Sequence, residues 1–441
     1  MKFLKKYDLW LLIVFIRPFA GNAQFNVSQP LNINRLVYAI SDSLNRHYVF
    51  PDKAATISTF LLGQIKNEAY KNLVDKPEKL AEQIARDINS IHHDPHLRIR
   101  FEPSFVQEIN NNPAAADIER IKKYWKENNY TFKKAEILPG NIGYLPFNLF
   151  VDDIDAAKPT INAALKFLGN TSAIIIDLRQ NMGGSPQMVS QIESYFFKEK
   201  THMNDLINRS SKDTTILFAD PLKADGLTLT MPVYILTNHN TFSGAEDFSY
   251  GMQVAKRAII VGVTTGGGAH PQMPFSVGQG FVVFIPYARS LNPITKTDWE
   301  GTGVIPDVKV TSNNALIKAQ ELVFRDELMK ATNEKDKAKY RYWINSLLAN
   351  DIKASSSLKS LLPFTGTFGD LKIYLDKNKL LCKNENNGGT VTELKHLINN
   401  LFTLDQDAQI GFVKDSNGHY SAVKIFVNDG NVFEEKRTIL K

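Results

Sequence analysis

The sequence predicts an α/β protein, with a helical start, a central α/β core and a small β tail. Three observations carry that expectation. Between residues 142 and 310, short apolar runs alternate with helix-length amphipathic stretches, as in strands joined by crossover helices. Before them, residues 31–92 hold two apolar stripes at helical spacing: Leu36, Val37, Ile40 and Leu44, then Leu80, Ile84, Ile88 and Ile91. After residue 361 come short strand signals punctuated by Asn387-Gly388, Asn417-Gly418 and Asp429-Gly430, pairs that favour tight hairpin turns. A length of 441 residues with 43% hydrophobic content calls for two or three globular domains.

Each element has its own local reason. Met1 to Ala23 reads as an export signal: lysines, the apolar stretch 9–16, then Gly21-Asn22-Ala23 before Gln24. Its apolar stretch is well short of the roughly 20 residues that a membrane span needs, so no integral span is expected after cleavage near Ala23. In His47-Tyr48-Val49-Phe50-Pro51 the proline ends one helix and opens the next. His92-His93-Asp94-Pro95-His96 leads into the alternating strand signal 97–101, and residues 110–134 form a polar, peripheral helical stretch. Residues 142–145 then begin the α/β pattern, 153–168 give an amphipathic helix, and 172–176 (SAIII) a strand buried on both faces. The stretch 236–268 is the centre: an apolar run ends at Leu236, Ser243 precedes a helical pattern of Phe248, Met252 and Ala255, and a second apolar run ends in Gly266-Gly267-Gly268. A strand at 281–285, a charged helical stretch at 316–350 and a serine-rich segment at 354–360 lead to the tail. The resulting division is 1–23 export signal, 24–105 helical N-terminal domain, 106–325 α/β core, 326–360 helical linker and 361–441 C-terminal β domain.

Composition narrows the function. Half of the net charge of +6 lies in the first 23 residues, so the mature chain is mildly basic with no concentrated patch, which argues against nucleic acid as a partner. The single cysteine, Cys382, allows no internal disulfide and sits in an apolar run as a core residue. His92, His93 and His96 could suggest a metal, but zinc wants three or four protein ligands and no further cluster stands out, so neither metal nor cofactor is expected. Oligomeric state is not legible.

Three features carry chemistry. Ser243, at a turn between strand and helix, is placed either as a nucleophile backed by free helix N-terminal N–H groups or as a helix cap, with Glu246 completing a capping box. Gly183-Gly184 follows a buried strand and, lacking Cβ atoms, lets backbone N–H groups approach a substrate; with Gly244 it makes a candidate oxyanion hole, and otherwise an ordinary turn. A serine needs a base, normally imidazole. Of the nine histidines, His96 is the first choice, ahead of His239 on the serine's own loop and His270 after the glycine loop; its other reading is a local cap.

The residues Asp94-Pro95-His96-Leu97, Asp177-Leu178-Arg179 with Asn181 and Gly183-Gly184, Thr241-Phe242-Ser243-Gly244-Ala245-Glu246, Val261-Gly262 with Thr265-Gly266-Gly267, and Gly303-Val304 with Pro306-Asp307 stand in one order. That order resembles the serine peptidase family of C-terminal processing proteases, the tricorn core protease and interphotoreceptor retinoid-binding protein. The resemblance covers residues 94–310 and, through Tyr48-Val49-Phe50-Pro51, reaches back to about residue 31. It implies a ClpP/crotonase-like core and an exported serine endopeptidase acting on polypeptide. The processing-protease branch draws its base from a lysine in the glycine loop; here 264–269 has none, and Lys256 belongs on the helix facing solvent. The tricorn-like branch uses histidine and glutamate, which His96 and Glu300 match, although Glu300 beside Trp299 also reads as a surface carboxylate. Pro95 stands where tricorn has a polar residue, and Gln180 and Met182 replace family glycines. A PDZ module of about 80–90 residues has no room. The alternatives are a non-catalytic carrier of apolar ligands or polypeptide on the same scaffold, and an esterase or amidase using the same residues.

Overall fold

A computed structural model describes residues 31–94, 96–111, 115–209, 211, 213–349, 358–386 and 388–438. The expected export signal, Pro95, Asn387 and most of the serine-rich segment lie outside the described residues. The chain divides into two compact units: Gly143–Ala315 with the chain up to Glu136, and Leu316–Lys441 with Ile137–Ile142.

The first unit is built on a sheet whose strands run in the order Val308–Lys309, Ala258–Gly262, Val233–Thr237, Ala173–Asp177 and Ile142–Pro146. The pairings among 308–309, 258–262, 233–237 and 173–177 are parallel. All five residues of Ala173–Asp177 and of Val233–Thr237 are buried, so their β-branched side chains meet packing on both faces, as a covered parallel sheet requires. Helices Ile154–Phe167, Pro186–Glu193 and Gly244–Val254 supply it: Ile161, Leu165, Met188, Ile192, Phe248 and Met252 share one core with Ile174, Ile176, Ile235 and Ile260. Asp177 stands in register with Leu236, and Leu236 with Val261, so the loops after 177, 237 and 262 leave the same edge of the sheet. That carboxyl edge is where open parallel sheets build sites.

The N-terminal helices Ile33–His47, Pro51–Lys66 and Pro77–Ile91 do not form a core on their own. Leu36, Ile40, Ile57 and Ile84 pack with Val277, Phe281, Val283 and Ile285. The last four belong to a hairpin, Gln272–Gly278 with Phe281–Pro286, to which Arg98–Phe101 adds an antiparallel edge. Short amphipathic helices need an apolar sheet face to close against, and here residues 277–285, far downstream of helices that end at residue 91, provide it. This pairing carries His96, which precedes the edge strand, to the loop that precedes the hairpin.

In the second unit, helices Ala315–Lys330 and Glu334–Ala349 occupy the stretch expected as a charged helical segment. Two antiparallel sheets of four and five strands follow, sharing a core of Phe364, Phe368, Ile373, Cys382, Phe402, Phe412 and Val423. The glycines Gly418 and Gly430 take positive φ at their turns, as the Asn-Gly and Asp-Gly pairs predict. At a further turn, Lys377-Asn378, both residues take positive φ, without any glycine to announce it, whereas in the other two turns only the glycine does.

Candidate active site

Ser243 sits immediately before the Gly244–Val254 helix at φ +52° and ψ −120°, a backbone conformation that side-chain-bearing residues rarely adopt. The surroundings impose it. Thr241 Oγ1 donates to the Leu178 carbonyl at 2.8 Å and takes the Asn238 N–H at 3.0 Å, while the Phe242 N–H reaches the Asn181 carbonyl at 3.1 Å. The loops after the 173–177 and 233–237 strands are thus stitched together around the serine. The Asp177 carboxylate braces the base of the first loop, accepting from Tyr144 Oη at 2.6 Å and from Arg179 Nη2 at 2.6 Å, while Arg179 Nη1 reaches the Ser312 carbonyl at 2.6 Å.

Gly183 and Gly184 lie against the serine. A Cβ on Gly183 would come within 2.6 Å of the Gly244 nitrogen and 2.8 Å of Ser243 Cβ, and one on Gly184 would overlap the Phe150 carbonyl; both have positive φ. No other residue fits there. The two N–H groups differ, however. That of Gly183 donates to Asn181 Oδ1 at 2.8 Å, an Asx turn two residues long. The Gly184 N–H has no such acceptor among the described residues, and Gly244 opens a helix, where the first N–H groups lack intrahelical partners. The oxyanion candidates therefore reduce to Gly184 and Gly244, with Gly183 shaping the corner.

Glu246 goes beyond a capping role. Wholly buried, it accepts from the Ser243 N–H at 2.8 Å, as a capping box predicts, and also from Thr265 Oγ1 at 2.5 Å and the N–H groups of Gly267 at 2.7 Å and Gly268 at 2.8 Å. Burial pushes its carboxyl up to about 7, against the hydrogen bonds from Thr265, Gly268, Gly267 and Ser243, which pull it down. One carboxylate thus pins the glycine loop to the nucleophile's helix.

His96 is 3% exposed, and its ring lies 5.0 Å from that of Phe242, the neighbour of Ser243. A Cβ on Gly268 would stand 2.5 Å from His96 Cε1, so the glycine loop makes room for the imidazole. Among the described residues no hydrogen bond joins His96 to Ser243 Oγ, an alignment that substrate-free sites commonly leave loose. Glu300 is beside the histidine, its Oε2 3.8 Å from His96 Nδ1 and accepting the Ala269 N–H at 2.5 Å. It is therefore no solvent-facing surface carboxylate. Trp299 is buried, its Nε1 donating to the Gly268 carbonyl at 3.0 Å.

Three further residues join this cluster. Asp94 accepts the His96 N–H at 2.9 Å through Oδ1 and the Tyr48 hydroxyl at 2.9 Å through Oδ2. His270 Nδ1 faces Glu300 Oε2 at 3.4 Å and Asp94 Oδ2 at 3.8 Å, and its Nε2 faces Asp298 Oδ2 at 3.7 Å. Burial pushes the His270 imidazole down, but Asp298, Asp94 and Glu300 outweigh it and raise it to about 9. Burial pushes Asp94 up, and the same histidine together with His96 holds it below the usual carboxylate range. Tyr48-Val49-Phe50-Pro51 thus carries a ligand of the site as well as a helix boundary. His239 and Lys256 are exposed, and His93 is exposed too. Asp94, His96 and Glu300 bring ligand-type atoms within 4.8 Å of one another, the spacing of a small metal site. Both Asp94 oxygens and Glu300 Oε2 already take hydrogen bonds from the chain, and the His270 ring stands against the same carboxylates; the set fits a hydrogen-bonded network better than an ion.

A strained serine beside backbone N–H groups that have no acceptor among the described residues, with a buried histidine and carboxylate at hand, is an arrangement that suits acyl transfer. Residues 141–310 match the description "Peptidase family S41", and residues 29–133 match "N-terminal domain of Peptidase_S41 in eukaryotic IRBP". Together the matches take in more than half of the chain, which belongs to peptidase family S41. Among curated proteins, carboxyl-terminal-processing peptidase 2 of Arabidopsis thaliana chloroplasts is 26% identical over 178 residues, 38% of this chain and 33% of the relative. A carboxy-terminal-processing protease of Bartonella bacilliformis is 26% identical over 176 residues, 39% of each. The chain thus spans between a third and two fifths of the length of the curated relatives it matches. Of the solved structures, the photosystem II D1 C-terminal processing protease aligns at 16% identity and a TM-score of 0.42, over 64% of this chain and 94% of that one. Among the described residues no helix is long and apolar enough to cross a membrane.

Proposed function

We propose that the protein is an exported serine endopeptidase in which Ser243 is the nucleophile and His96 its base. The Ser243 Oγ–H bond gives its proton to His96 as Oγ attacks a peptide carbonyl, and the imidazolium returns that proton to the leaving amine. The N–H groups of Gly244 and Gly184 receive the oxyanion, with Gly183 holding the corner open. A water activated by the same histidine then releases the acyl group. Glu300 faces the Nδ1 side of the imidazole, where a carboxylate orients the base and supports the imidazolium that forms during attack; the glycine loop holds no lysine for a Ser–Lys dyad.

The observation that supports this most is the backbone of Ser243 itself. A cap residue ordinarily takes extended φ/ψ; a φ of +52° enforced by two stitched loops and abutting glycines goes beyond capping and suits presenting a hydroxyl next to N–H groups without acceptors among the described residues. Export rests on the pattern of residues 1–23, and polypeptide as substrate rests on the family. The test is hydrolysis of a quenched-fluorescence peptide pool, with an ester series alongside. Wild type is expected to cleave peptides, and Ser243→Ala to lose roughly 10⁴-fold or more of the rate. Unchanged hydrolysis by Ser243→Ala would overturn the proposal; cleavage of esters alone would make the protein an esterase.

A further inference from the structure

We propose that His270 is a positioning residue of this site: a buried imidazole ring, faced by Asp94, Asp298 and Glu300, that holds Glu300 and Asp94 in place around His96. The inference rests on the peptidase reading for its consequence, and on geometry for its substance.

Three carboxylates, Asp94, Asp298 and Glu300, converge on the His270 ring at 3.4–3.8 Å. The ring is 3% exposed. Its nitrogens stand at ion-pair distance without aligned hydrogen bonds, so what ties the cluster together is charge. Phe50 closes one side, its ring edge-on at 5.2 Å. Of the other charged groups that face the cluster, Arg98 acts on Asp94, and among the described residues only the two histidines stand at ion-pair distance from Glu300. His92 is pushed down by burial and is neutral near pH 7, Arg289 acts on Asp298, and Lys53 acts on His92. His96 must itself be neutral to accept a proton. Carboxylates gathered away from water favour taking up a proton unless a cation stands among them, and His270 is the group at ion-pair distance from all three.

The consequence for the base is opposed in sign. Glu300 and Asp94 favour the charged form of His96, and the His270 cation disfavours it. With His270 neutralised, the cluster gains one negative charge and binds one more proton near neutral pH. Whether that proton settles on His96 or on a carboxylate, it must leave before His96 can act, so the titration of the base moves to higher pH.

The experiment is NMR of the full protein labelled with ¹⁵N-histidine, with His96→Ala and His270→Gln identifying the two rings. A doubly protonated His270 ring is expected at pH 7.5, and in His270→Gln the His96 midpoint should rise by about one pH unit. His270→Lys, which restores a cation, should return it to within a few tenths of the wild-type value. A His270 ring that is neutral at pH 7.5, or a His96 midpoint that is unmoved or lowered in His270→Gln, overturns the proposal. Should His270→Gln fail to fold, the wild-type titration of His270 decides alone. Because the readout needs no turnover, an inactive protein with these titrations would refute the peptidase reading and leave the charge arrangement standing.

Discussion

The two units spend their buried polar groups differently. In the first, Asp94, His96, Asp177, Glu193, Glu246, Asp247 and His270 are all buried, and apart from Glu193 with its neighbour Asp247 they brace or line the loops at one edge of the sheet. In the second, Glu321 is the buried carboxylate among the described residues, paired within its own helix to Lys318 and Arg325, while the β core is Phe364, Phe368, Phe402 and Phe412 packed edge to face. Burying a charge costs several kcal/mol unless it is paired or hydrogen-bonded. Five such groups gathered at one edge of the sheet point to something other than packing being gained there. The aromatic tail needs no such cost to fold, and the contrast separates a region organised around chemistry from one organised around burial.

The largest expected effect that would sharpen this contrast comes from Gly184→Ala. Its Cβ would overlap the Phe150 carbonyl at a φ of +128°, next to a proposed oxyanion donor. Activity should fall by about 100-fold or more, measured as kcat/KM on any peptide that wild type cleaves.

An intermediate effect concerns pH. Asp247 is enclosed, with the Asn204 amide its one donor among the described residues, at 2.9 Å, and burial pushes it up to about 7; Glu193, beside it, is pushed up as well by burial and the Asp247 charge. Between the unfolded value near 4 and about 7, the folded chain therefore binds a proton that the unfolded chain does not. Stability falls as pH rises across that window and levels off above it. Asp247→Asn should flatten the fall by on the order of 2 kcal/mol between pH 5 and 7, read from urea midpoints.

The smallest effect on the site belongs to the tail. Cys382 is buried in the aromatic core of the second unit, which pushes its thiol up to about 11. Cys382→Ser places a hydroxyl there without a partner and should destabilise that unit by about 1–3 kcal/mol, seen in thermal unfolding, with the rate of active-site labelling unchanged.

Much of this was legible in the sequence because the features are local. Period-2 and period-3.6 patterns mark the elements, and Gly183-Gly184 and Ser243-x-x-Glu246 are short motifs whose geometry follows from residue type. Asn181 two residues ahead of Gly183 is a readable Asx-turn signal that assigns the Gly183 N–H. The remainder depended on contacts across the chain. Nothing near His270 announces that Asp94 and Asp298 flank it, since those meetings follow from the 98–101 strand pairing with 281–284. Glu246 fits a local cap so well that its bonds to Gly267 and Gly268 leave no separate trace. The helical start likewise shows its stripes but not the hairpin that completes its core.

The central claim is that Ser243 is an activated nucleophile, and reaction of the purified protein with a fluorophosphonate probe tests it most directly. Wild type should be labelled on the peptide containing Ser243, with Ser243→Ala unlabelled and His96→Ala slowed by about 10³-fold or more. A folded wild-type protein that takes no label over the pH range where His96 is neutral would contradict the account, and would leave the scaffold to a binding role.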